Sequence, residues 1–281
     1  MYNLPNLENI ATQVRRDVLR MVHCVQSGHP GGALGCTEFM VALYFHIMKQ
    51  DPEAFTMEGH GEDLFFLSNG HLSALWYSVL ARRGYFPVKE LDTFRKINTR
   101  LQGHPATAEG LPGIRVASGS LGQGLSVAIG AAMAKRLDND KTVVYSLHGD
   151  GELDEGQIWE AAMFAPAHKI DNLIATIDHN GQQIDGPTDK VMPLGNLRAK
   201  WEAFGWEVVE MAGNDMQAVI NGLQLAKQKC FKSKPVVVIM QTDMGYGVDF
   251  MKGKYHWHGV APSDEQLQNA LDQLPVTLSD Y

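Results

Sequence analysis

Five short apolar runs constrain this chain more than any other feature of its sequence. Leu64 to Leu67, Thr142 to Leu147, Asn172 to Ile177, Trp206 to Met211 and Pro235 to Gln241 are too short for helices and apolar on both faces. That is the pattern of parallel strands buried between two layers. Stretches with helical spacing lie between them, near 72 to 83, 121 to 137, 155 to 168, 194 to 204 and 215 to 229. Two more precede the first run, at 7 to 25 (Ile10, Val14, Val18, Leu19, Met21, Val22) and 37 to 48 (Phe39, Met40, Leu43, Ile47). This alternation predicts an α/β fold, a doubly wound, mostly parallel sheet with helices on both faces. No repeat or Ser/Gly/Pro-rich linker interrupts it, so residues 1–281 are expected to form one domain. Three loops, 97 to 120, 178 to 193 and 243 to 262, lack periodicity and are long enough to carry function.

Charge narrows the function classes. Against 24 Lys+Arg stand 32 Asp+Glu, a formal net charge of −8, which argues against a nucleic-acid or acidic-membrane surface. The apolar runs fall far short of the roughly 20 residues a membrane span needs. Cys24, Cys36 and Cys230 have neither zinc-site spacing nor disulfide density and are expected to be buried or inert thiols in a reducing compartment. The N-terminal stretch MYNLPNLENIATQVRRDVLR has no basic start followed by an apolar segment, so it is not read as a secretory signal, and a cytoplasmic location is expected.

The sharpest local feature is the run Val143 to Leu147 leading through His148 into Gly149-Asp150-Gly151, with a helix from about Glu155. Ligands of open α/β sheets bind outside the carboxyl ends of the strands. The glycines let backbone N–H groups approach an anion, while Asp150 repels a bare phosphate unless a cation lies between. A metal-bridged diphosphate resolves that conflict. The next run ends in Asp178-His179-Asn180-Gly181. A carboxylate from Asp150, the amide oxygen of Asn180, a nearby main-chain carbonyl, diphosphate oxygens and water make the all-oxygen octahedron Mg²⁺ prefers. Read alone, each motif is more economically a turn; on successive strands the pair favours the metal site.

These motifs resemble the transketolase family of thiamine diphosphate enzymes. The resemblance extends through SGHPGG at 27–32, LSNGH at 67–71, GHP at 103–105, LPGI at 111–114, GSLGQG at 119–124, GDG at 149–151, DHNG at 178–181, IDG at 184–186 and HG at 258–259. It covers the family's N-terminal, diphosphate-binding domain and implies the thiamine-diphosphate-binding fold. It implies thiamine diphosphate and Mg²⁺ as cofactors, with Ca²⁺ or Mn²⁺ as substitutes. The metal ligands would be Asp150, Asn180 and the backbone carbonyl of Gln182, where the family usually has an aliphatic residue. Gly151 would offer its N–H to the diphosphate. Gly119 and Leu121 would hold the aminopyrimidine, with Ser120 replacing the usual proline.

Six of the eleven histidines adjoin glycine, where composition alone predicts about two. That enrichment suggests imidazoles carried on loops toward a ligand. Any one histidine is more often structural, the reading kept for His60 and His168. The resemblance assigns His29 and His104 to substrate oxygens and proton transfer, His71 to the cofactor, and His258 to both. Glu155 and Glu160 read alone as a solvated helix face; the resemblance places them in a carboxylate network at a subunit interface.

The resemblance also implies a reaction and a partner. In the family, a carbanion on the cofactor takes a two-carbon ketol unit from a ketose phosphate such as xylulose 5-phosphate to an aldose phosphate such as ribose 5-phosphate. The glutamate that activates the cofactor belongs to a pyrimidine-binding domain, and no motif of that domain is present in these 281 residues. The expectation is therefore the N-terminal subunit of a split transketolase, paired with a C-terminal subunit in a heterotetramer. Alternatives are a split enzyme for a modified sugar, such as a sulfosugar or apulose phosphate, and a noncatalytic chain that retains the fold. A nicotinamide-binding protein is disfavoured, because no G-x-G-x-x-G follows the first strand.

Overall fold

The computed structural model describes residues 3–281; Met1 and Tyr2, the start of the N-terminal stretch, lie outside it. All five apolar runs form strands: β1 (Leu64–Leu67), β2 (Val144–Gly149), β3 (Leu173–His179), β6 (Glu207–Ala212) and β7 (Val236–Gln241). They pair in parallel in the order β1-β2-β3-β7-β6. A small antiparallel ribbon, β4 (Gln182–Gln183) with β5 (Gly186–Pro187), stands apart from the sheet.

Successive side chains of a strand point to opposite faces, so apolar runs feed two cores. Phe65, Leu67, Tyr145, Leu147, Val236 and Val238 pack with α1 (Leu4–Cys24), α3 (Thr37–Ala42), α4 (Ser73–Arg83) and α9 (Met216–Lys229). Leu64, Phe66, Val144, Leu173, Val237 and Ile239 pack with α5 (Gln123–Leu137), α6 (Gly156–Ala167) and α8 (Leu197–Phe204). The doubly wound expectation holds, and every sheet strand runs parallel. The remaining helices are α2 (Pro30–Gly35), α7 (Thr188–Val191) and α10 (Asp264–Gln273), the last opened by a Ser263/Gln266 capping box.

Departures from the sequence reading have local causes. The helix expected from residue 121 begins at Gln123, because Gly122 takes φ +85° and turns the chain. The one expected from 194 begins at Leu197, where the Asn196 side chain accepts the Ala199 N–H. The 37 to 48 helix ends as a π-helical turn over Leu43–Ile47. β6, an edge strand, alternates buried and exposed positions after its first two residues: Val209 and Met211 enter the core beside α9, while Glu210 on the other face pairs with Arg198 of α8. Cys36 and Cys230 are buried as expected, but Cys24 is exposed. Among the described residues no helix is long and apolar enough to cross a membrane.

Candidate functional site

The carboxyl ends of β1, β2, β3 and β7 open onto one cavity of about 300 Å³. Its walls include ten of the twelve residues singled out from sequence: His29, His71, His104, Gly119, Leu121, Asp150, Gly151, Asn180, Gln182 and His258. They come from segments far apart in the chain. His29 sits at the N-terminal end of α2, where Pro30 supplies a φ already suited to a first helical turn. His71 lies in a 3₁₀ turn, Gly70–Leu72, that leads into α4. Gly70 must lack a side chain, since a Cβ there would lie 2.6 Å from the Gly119 nitrogen. Gly119 is equally confined, with φ +122° and the His104 ring 2.8 Å from where a Cβ would stand.

One end of the cavity is acidic. Asp150 is 1 % exposed and Asp178 2 % exposed, and the ladder continues between them through Asp150 N–H donating to the Asp178 carbonyl at 3.1 Å. Burial, then the Asp178 charge, pushes the Asp150 carboxyl up to about 7, although it accepts N–H groups from Gly181 at 2.7 Å and Gly151 at 2.8 Å. Asp178 is also pushed up by burial, against the Thr242 hydroxyl and the Asn180 amide, whose Nδ2 donates at 2.7 Å. Two adjacent buried acids call for a positive charge. Asn180 Oδ1 faces Gln182, accepting its N–H at 2.9 Å, and Gln182 pairs across the ribbon with Pro187, which has no N–H to offer its carbonyl. Among the described residues no group of three His, Cys, Asp or Glu side chains is arranged to hold a metal. A cation here would therefore combine Asp150 with amide and carbonyl oxygens and with oxygens of a ligand, a set that suits Mg²⁺.

The other end is lined with imidazole. The ring centre of His29 lies 5.1 Å from that of His71, 5.6 Å from His258 and 6.3 Å from His104. Burial, followed by the neighbouring His258, Arg95 and His104, pushes His29 down to about 4. Burial likewise pushes His71 well below the ordinary imidazole value and lowers His104 and His258. The cluster is therefore uncharged at neutral pH, able to donate from one nitrogen and accept at the other. Among the described residues, the Nδ1 atoms of His29 and His258 and the Oδ1 of Asn69 are buried without a hydrogen-bond partner. Buried polar atoms are rarely left so, and these are free for a polar ligand. Acidic end, orphaned polar atoms and glycine walls together fit a metal-bound diphosphate cofactor.

Glu155 and Glu160 do not reach the cavity. Both are exposed on or beside α6, where Glu160 borders a groove lined by Ile129, Gly130, Met133 and Phe164 of α5 and α6. The sequence reading missed Asn69, Asp178 and Glu152, which also line the cavity. Asn69 and Asp178 lay inside matched motifs; Glu152 followed one directly and carried no signal of its own. Its carboxyl is held below the usual range because His148, Ser68 and Gly122 outweigh burial.

The fold and this cavity define an α/β protein with a polar cavity at its strand ends. Residues 7–277 match the thiamine diphosphate binding domain of transketolase, and the chain belongs to that family. It is 39% identical over 270 residues to the 6-deoxy-6-sulfo-D-fructose transketolase subunit SqwG of Clostridium sp. strain MSTE9, covering 96% of each. It is 39% identical over 268 residues to an apulose-4-phosphate transketolase subunit of Phocaeicola vulgatus, covering 95% of this chain and 93% of that one. The crystal structure of Campylobacter jejuni transketolase superposes with a TM-score of 0.88 at 32% identity, over 97% of this chain but 43% of that one. The chain thus spans less than half the length of that solved enzyme and nearly the whole of the two subunits.

Proposed function

We propose that this chain, as one diphosphate-binding domain over 1–281, is the first subunit of a two-chain transketolase that moves a two-carbon ketol unit from a ketose phosphate to an aldose phosphate. The observation that carries this reading is one cavity joining a buried, cation-requiring Asp150 to four uncharged imidazoles. Asp150, Asn180 and the Gln182 carbonyl would hold Mg²⁺, for which Ca²⁺ or Mn²⁺ could stand in. Gly151 and His71 would bind the diphosphate, and Gly119 and Leu121 the aminopyrimidine. When bound, thiamine diphosphate supplies the carbon nucleophile and the electron sink.

His29 and His104 would then hold the sugar hydroxyls, with His258 shared between sugar and cofactor. Each neutral imidazole can take a proton from a hydroxyl and return it, which is what making and breaking a carbon–carbon bond beside a hydroxyl requires. The unpartnered Nδ1 atoms of His29 and His258 are the acceptors available for this. The activating glutamate would come from a partner carrying the pyrimidine-binding domain. The groove between α5 and α6, flanked by exposed Val127, Met163 and Phe164 with Glu155 and Glu160 nearby, suits an interface within a cytoplasmic heterotetramer. A noncatalytic role has no physical need for Asp150, Asn180 and four cavity histidines together.

A second reading concerns the sugar. Both subunits of matching length are named for modified sugars, which supports a sulfosugar or apulose phosphate as the donor in place of xylulose 5-phosphate. The test is a donor panel on the reconstituted two-chain complex with thiamine diphosphate, Mg²⁺ and an aldose phosphate acceptor. Turnover of xylulose 5-phosphate supports the pentose phosphate reading. Turnover restricted to 6-deoxy-6-sulfofructose or apulose 4-phosphate moves the substrate, and no turnover of any donor overturns ketol transfer.

A further inference from the structure

Glu152 is 2 % exposed and lies against the cavity wall. Its Oε1 accepts the Ser68 hydroxyl, and the Gly122 N–H at 2.9 Å, with His148 Nδ1 at 3.5 Å. Its Oε2 accepts the Gly149 N–H at 3.1 Å. Ser68 Oγ in turn accepts the Gly124 N–H at 3.1 Å, and His148 Nε2 stands 2.8 Å from Ser146 Oγ. One carboxylate thus gathers donors from the end of β1, the loop entering α5 and the end of β2. Burying a carboxylate is costly unless donors surround it, and here the donors are the backbone of the two loops that wall the cavity. In the loop entering α5, Gly119 and Gly122 both take positive φ, and the Gly122 and Gly124 N–H groups find their partners in Glu152 and Ser68.

We propose that Glu152 is a positioning residue that clamps the loop bearing Gly119 and Leu121 to the turn bearing Gly149, Asp150 and Gly151. The two walls then keep the separation a ligand spanning both requires, and the ligand need not order them itself. This rests on the thiamine diphosphate reading in one respect, the identity of the spanning ligand. Removing the clamp would leave each wall intact and lose their relation.

Two measurements test it. Backbone amide exchange on the full chain is expected to quicken about tenfold or more in Glu152→Gln at 119–124 and 149–152, with α1 unchanged. Unchanged exchange in those two segments overturns the clamp. If Glu152→Gln shows no cooperative melt, Ser68→Ala carries the test: it removes the Ser68–Glu152 bond and with it the Gly124 link, while the Gly122 and Gly149 N–H groups keep the carboxylate, so exchange should quicken at Gly124 and not at Gly149, and no change at Gly124 overturns the clamp. In the two-chain complex, calorimetry should find thiamine diphosphate with Mg²⁺ weakened about tenfold by Glu152→Gln, and Mg²⁺-pyrophosphate, which occupies one wall, weakened less than about threefold. Equal losses for both ligands overturn the clamp. A wild-type complex that binds no thiamine diphosphate overturns the cofactor reading instead, and the exchange result still decides the clamp.

Discussion

At the scale of single residues, the site behaves as a set of groups held away from their ordinary protonation. Asp150 is held by two backbone N–H groups and repelled by Asp178. Asp150→Ala is therefore expected to weaken Mg²⁺-dependent thiamine diphosphate binding by more than about 100-fold, while the melting temperature of the unliganded chain stays the same or rises as the repulsion is relieved. Calorimetry paired with a thermal melt checks both. His29 gives a pH test. Its folded value near 4 lies below the ordinary 6.5 under burial and the facing His258, Arg95 and His104, with the His71 ring also packed against it. Between pH 4 and 6.5 the unfolded chain therefore takes up a proton that the folded chain does not. Stability should rise with pH through that window and level above it. Denaturant melts across pH 4 to 7 should show a shallower slope for His29→Asn than for wild type. Ten of the twelve chosen residues line one cavity because each sits beside a glycine or inside a turn motif, a local signal. Asp178 and Glu152 act through hydrogen bonds to segments distant in sequence, Thr242 and Gly122 among them, and no local pattern announces those; Asn69 stood inside a matched motif, and its unpartnered Oδ1 shows only in the fold.

At the scale of elements, β1, β2, β3 and β7 were legible because each is apolar on both faces, as a strand buried between two helical layers must be, and β6 because its apolar residues still form a short run despite Glu207 and Glu210. The α2 helix was not. Its six residues, Pro30–Gly35, contain three glycines, poor helix formers. It persists because close approach needs them: a Cβ on Gly31 would lie 2.7 Å from Met244 Cγ and 2.8 Å from the Trp257 carbonyl. Gly31→Ala should cost about 1–3 kcal/mol by overpacking, read as a fall in the denaturant midpoint. Because α2 carries His29 and the Trp257 segment carries His258, the same variant should disturb both imidazole resonances in a ¹H–¹⁵N spectrum. A midpoint and imidazole signals like those of wild type would show that α2 does not set the histidine spacing. The ribbon of β4 and β5 escaped the sequence reading for a different reason: two-residue strands have no periodicity to detect.

At the scale of the whole molecule, the proposed function makes the chain one half of a reaction centre. The cavity holds the acid and imidazole groups, and the α5 and α6 helices leave Val127, Met163 and Phe164 exposed beside Glu160. A groove of that composition is expected to be covered in the assembly, so Met163→Asp should weaken association with the partner while leaving the chain's own melt within about 0.5 kcal/mol of wild type; analytical ultracentrifugation reads the first and a denaturant titration the second. The most direct measurement for the account as a whole is ketol transfer, assayed with thiamine diphosphate and Mg²⁺ for this chain alone, for the pyrimidine-binding chain alone and for their mixture. The account predicts turnover in the mixture and none in either chain by itself. Turnover by this chain alone would contradict it.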